Sequence, residues 1–192
     1  MWLSGLPAPA RPAPAAEAPP VPAPADGGVC GARCVDDTWR APAAPVRIRI
    51  DGIGVDAPVS PVGVDDRGRM EVPLDVATVG WYRYGPGPGT AGGSAVLSGH
   101  VDDYEQGLGA FYRLVDLEAG DPVTVELADG TALDYRVRGV ERVAKADLPV
   151  DQIFARAGSP RLTLVTCGGD FNRATSGYND NVVVVAEPGG RP

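Results

Sequence analysis

The chain has one histidine, three cysteines and no apolar run of the roughly 18–20 residues that a membrane span requires. Each scarcity excludes something. The C-x3-C pair of Cys30 and Cys34 is at most half of a zinc site, because His100 is the only imidazole available for a second half. That pair reads as incidental or as a small local loop, with a disulfide an option outside the cell. Basic residues are also few: 17 Lys and Arg face 25 Asp and Glu, for a formal charge of −8. No nucleic-acid or anionic-membrane partner is expected, since either is held by clustered cations. The opening "MWLSGLPAPA" is too short and too proline-rich for the apolar core of a signal peptide. The expectation is therefore release without a visible signal, or an anchor lost upstream of Met1.

What is present suits one folded domain behind a spacer. A hydrophobic content of 44% over 192 residues supports a single core. Residues 1–45 hold half of the 20 prolines in an Ala-Pro pattern that buries too little to offset its ordering entropy. This segment is expected to be a disordered or semi-rigid linker, and residues 46–192 the domain. In "VRIRI" Val46, Ile48 and Ile50 share one face of a strand, while Arg47 and Arg49 share the other. "DPVTVELADGTALDYRVRGVERV" reads as a hairpin about Asp129-Gly130. "RLTLVTC" and "NVVVVAE" add strands, the second apolar throughout and so suited to burial on both faces. Many short strands separated by turn signals predict an all-β chain closed, or nearly closed, into a barrel. Helix is scarce: "GAFYRLVDLEAG" and "LPVDQIFARAG" are the two short candidates.

Chemistry is expected at strand ends. His100 follows the apolar run of "SAVLSGH", and Cys167 follows "LTLV". An imidazole beside a thiol can stabilise thiolate and later protonate a leaving amine, so one His and one isolated Cys are the minimum set for acyl transfer. By residue type alone, a free cysteine is more often a small buried hydrophobe. Gly168 and Gly169 shift that balance, because they clear side-chain bulk from the backbone beside the sulfur. Arg173, the one cation between Cys167 and the C-terminal tail, is permanently charged and is a candidate donor to an oxyanion or to a peptide backbone. "GPGPGTAGG" lacks a phosphate-loop signature and reads as a rigid turn. The paired acids of "VDDRG" and "VDDYE" lack calcium-loop spacing, and no metal and no cofactor is expected.

"LVTCGG" resembles the TLxTC signature of sortases, with Thr163 in the place of the leading Thr and with Leu164, Thr166 and Cys167 matching. "VGWYRYGPGPGTAGGSAVLSGHVD" and "GGDFNRATSGYNDNVVVVA" resemble the actinobacterial class F members of that family. The resemblance covers about Val46 to Glu187, with the motifs in matching order and spacing. It implies an eight-stranded sortase β-barrel with one or two short helices, and a cysteine transpeptidase. Such an enzyme cleaves an LPxTG-type sorting-signal peptide of a surface protein between Thr and Gly, holds the acyl fragment as a thioester, and passes it to an amine of a peptidoglycan precursor. On that resemblance Cys167 is the nucleophile, His100 the general acid/base, Arg173 the oxyanion or positioning arginine, and Thr166 a contact to the sorting signal. The family's usual arginine at the start of the last strand has no counterpart, since this chain reads "YNDNVVV" there. A monomer at the extracytoplasmic cell surface is implied. A cysteine peptidase that hydrolyses the same acyl-enzyme, and a non-catalytic secreted β-barrel binding module, are the alternatives.

Overall fold

A computed structural model describes residues 43–173 and 177–190. The spacer expected over 1–45 falls outside the described residues as far as residue 42, and so does the Cys30/Cys34 pair.

Ten strands follow in chain order: β1 (Pro45–Ile50), β2 (Val55–Val62), β3 (Val79–Tyr82), β4 (Ser94–Ser98), β5 (Asp102–Asp103), β6 (Gly107–Leu108), β7 (Pro122–Leu127), β8 (Ala132–Ala144), β9 (Arg161–Asn172) and β10 (Gly177–Pro188). Eight of them close a barrel in the order β1-β2-β3-β4-β9-β10-β8-β7, and β5 and β6 form a separate small hairpin. The barrel is antiparallel except at β2–β3 and β4–β9. Parallel neighbours need crossover connections rather than tight turns, and both crossovers contribute walls to the groove described below.

Period-two alternation decides what each strand buries. In β1, Ile48 and Ile50 are buried in the barrel, whereas Arg47 and Arg49 point outward and pair with Asp56 and Glu126. Phe111, Leu97, Leu162, Leu164 and Val184 are among the fully buried side chains of the interior. In β10, Val182 and Val184 face this core, while Val183 packs outside it with Val96 and Ile153. The unbroken valine run thus has both faces covered, as its composition predicts.

Two local expectations need correction. In "GAFYRLVDLEAG" no α-helix forms; only Leu114–Asp116 makes a 3-10 turn. Phe111, Leu114 and Leu117 are buried and Val115 is 44% exposed, so the apolar period is three, which fits 3-10 rather than α geometry. "LPVDQIFARAG" yields a single α-helical turn, α1 (Val150–Ile153). Cys167 also does not end its strand: β9 runs on to Asn172, because β10 supplies ladder partners beyond the glycine pair. Gly169 adopts φ 77°, left-handed backbone that favours glycine, where the β9–β10 register shifts.

Candidate active site

The three adjacent strands β4, β9 and β10 carry the site on their outward face. Val96 and Ser98 on β4, Val165 and Cys167 on β9, and Val183 and Asn181 on β10 alternate with residues directed into the barrel core. Parallel pairing sets Ser98 level with Val165, and the Gly99 N–H continues the ladder by donating to the Val165 carbonyl at 3.1 Å. His100 follows β4 by two residues and Cys167 follows Val165 by two, so the same register directs the two segments toward one end of this face. On the opposite flank of Cys167, antiparallel pairing places Asn181 directly across from it. Cys167 is a free thiol, half-buried rather than sealed in the core.

The His100 ring is held from a second direction. Its Nε2 lies 2.8 Å from the Pro73 carbonyl oxygen. A carbonyl can only accept, so Nε2 carries a proton and donates it to Pro73, which leaves Nδ1 as the ring nitrogen free of that contact. Pro73 is itself fixed through its successors. The Gln106 Nε2–H donates to the Leu74 carbonyl (2.9 Å), the Val76 N–H donates to Gln106 Oε1 (3.3 Å), and the Ala110 N–H donates to the Val76 carbonyl (2.8 Å). Close packing also restricts the His100 backbone. A Cβ at Gly99 would come within 2.8 Å of the Phe111 ring, and one at Gly109 would collide with the His100 carbonyl.

Above the face lies a groove of about 1060 Å³. Its floor is apolar (Val62, Val96 and Val165), with Ile153 and Phe154 from the α1 segment on one wall and Met70 to Leu74 of the β2–β3 crossover on the other. Cys167 and Asn181 line it at the polar end. The crossover wall is braced internally: the Gly63 N–H donates to Glu71 Oε2 (2.9 Å), Val64 bridges Met70, and Asp65 accepts from the Arg67 and Arg69 N–H groups (2.9 Å each).

A further tie closes the far side. The Tyr178 hydroxyl, at the start of β10, donates to Asp102 Oδ2 at 2.6 Å, linking the β9–β10 hairpin to the loop that carries His100. Acceptance by Asp102 pushes the Tyr178 phenol up to about 12. Tyr178 also packs edge-on against Phe171.

The sequence-derived residues divide accordingly. Cys167 lines the groove, and His100 lies just beyond the end of the neighbouring strand β4. Thr166 lines the groove, yet it alternates inward with Leu162 and Leu164, and its hydroxyl is buried without a hydrogen-bond partner. Arg173 sits in the exposed turn after β9 and is not among the described residues lining the groove. It follows Cys167 by six residues, or about 20 Å of extended backbone. Three contributors escape a reading of residue types: the Pro73 carbonyl, the Tyr178–Asp102 tie and Asn181. The last had a visible signal, because Asn181 alternates with Val183 and Val185 in "YNDNVVVV".

Comparison with known proteins places this arrangement. A sortase domain profile matches residues 48–189, about three quarters of the chain. No match emerges among curated proteins. Among solved structures, the chain is similar to sortase A from Corynebacterium diphtheriae at 21% identity and TM-score 0.56, covering 80% of this chain and 63% of that one. It is similar to sortase C1 from Streptococcus agalactiae at 22% identity and TM-score 0.58, covering 77% and 68%. Sortase C-1 from Actinomyces oris matches at 24% identity and TM-score 0.58, covering 77% and 76%. These likenesses establish a shared barrel, and the chain spans under two thirds of the Corynebacterium protein. With the domain profile spanning nearly all of the barrel, the chain belongs to the sortase family.

Proposed function

We propose that this protein is a transpeptidase of the class F type, cleaving an LPxTG-type sorting signal between Thr and Gly and transferring the acyl fragment to an amine of a peptidoglycan precursor. The observation that carries this reading is the parallel β4–β9 register, which leads the His100 segment out beside the one that bears Cys167, with Cys167 lining an apolar groove. His100 Nδ1 accepts the thiol proton, and the Cys167 thiolate adds to the Thr carbonyl carbon. Collapse of the tetrahedral adduct forms the thioester and breaks the C–N bond, and the imidazolium returns the proton to the departing Gly amine. The incoming amine then attacks the thioester, forming a new C–N bond, expelling the thiolate and losing its proton to His100. The apolar floor fits the Leu and Pro side chains of such a signal. Thr166 borders the bound signal, and Arg173 on the hairpin turn positions its outer end. Residues 46–192 constitute the catalytic domain, acting as a monomer at the extracytoplasmic cell surface.

Trapping tests this directly. Mass spectrometry after exposure to an LPxTG peptide is expected to show an acyl adduct on Cys167, and added triglycine should convert the product from free acid to ligated peptide. A product that remains free acid at saturating amine would make the protein a hydrolase, and an unmodified Cys167 would remove the acyl-enzyme altogether.

A further inference from the structure

Acyl transfer through Cys167 places negative charge on the former carbonyl oxygen, and some donor must meet it. Arg173 occupies an exposed turn outside the groove, and the start of β10 holds no arginine. Asn181 is better placed. It is the antiparallel ladder partner of Cys167, and opposed residues in such a pair project from the same face with Cβ atoms about 5 Å apart. Both line the groove, and Asn181 is half-buried. Its amide makes no hydrogen bond among the described residues, so both Nδ2 protons remain available.

Across the sheet the order is therefore β4, whose end leads into His100, then Cys167 on β9 and Asn181 on β10, with the sulfur on the middle strand. The base stands on one flank. The other flank is occupied by a neutral donor that cannot compete with His100 for protons.

We infer that Asn181 is a catalytic residue, donating an Nδ2–H hydrogen bond to the oxyanion formed when the Cys167 thiolate adds to an acyl carbon. This deepens the transpeptidase reading and rests on it for the peptide substrate, although the donor role extends to any acyl group that reaches Cys167. In the addition the S–C bond forms and the carbonyl π pair moves onto oxygen, where the amide proton is shared. On collapse that pair returns, and the leaving group departs with the proton held by His100.

The experiment compares two reactions of the same thiol in the wild type, Asn181→Ala and Asn181→Asp. Acylation by p-nitrophenyl acetate passes through an oxyanion, whereas alkylation by iodoacetamide does not. Both variants are expected to slow the p-nitrophenolate burst by at least about tenfold while alkylating within about twofold of the wild-type rate. On an LPxTG peptide with triglycine, kcat should fall about 10²–10³-fold with KM little changed, the usual loss for one oxyanion donor. Asn181→Asp keeps the side-chain volume without the N–H, so its failure to restore the burst separates donation from packing. A wild-type burst rate in either variant, or equal slowing of alkylation, overturns the role of Asn181, as does a wild-type enzyme that shows no Cys167-dependent burst. An Asn181-dependent burst without cleavage of the LPxTG peptide would overturn only the substrate assignment.

Discussion

In the proposed mechanism Cys167 and His100 act as one proton-sharing unit, so removing either removes the same chemistry. Cys167→Ala and His100→Ala are each expected to reduce peptide cleavage, followed by chromatography, to background, and the double variant should be no worse. Residue types made this pair legible: the chain has one imidazole, and one isolated thiol sits beside two small residues. Asn181 was not legible as a partner, because its place opposite Cys167 depends on a β9–β10 register that shifts near Gly169. The hold of Pro73 on His100 has no sequence signature, since any residue supplies a backbone carbonyl.

At the level of elements, the β9–β10 hairpin is tied to the His100 loop by one hydrogen bond from Tyr178 to Asp102. The neutral phenol is the form that donates, so the contribution of this bond is fully present below the ordinary tyrosine value near 10 and is lost as pH rises through about 12. Ultraviolet titration at 295 nm should show Tyr178 ionising late, alongside Tyr135, which burial also raises, and Asp102→Asn should return Tyr178 alone toward 10. Tyr178→Phe should lower kcat without abolishing it, because the Gly99 N–H bond to Val165 and the Pro73 carbonyl still hold the His100 segment. Strands were readable from alternation, and the hairpin about Asp129-Gly130 forms where its turn residues indicate. The apolar period of Phe111, Leu114 and Leu117 was mistaken for α-helix, since periods of 3.0 and 3.6 separate poorly over two turns.

For the whole barrel, closure followed from strand number and turn spacing, but strand order did not. The parallel β4–β9 neighbours are far apart in the chain, and only the closed fold makes them adjacent. Their stability rests on shared core contacts. Leu164 is fully buried and lies on the strand that bears Cys167. Leu164→Ala is expected to cost about 2–5 kcal/mol in urea unfolding, through lost burial and the cavity left behind.

The β2–β3 crossover contributes a wall of the groove, while sulfur, imidazole and amide ride on or beside the main-chain ladder of the barrel. In the proposed function, reading a signal and breaking it thus fall to separately replaceable pieces. A graft that rebuilds 63–72 from another sortase, leaving Pro73 and its Gln106 anchor intact, is expected to retune peptide preference without retooling the reaction.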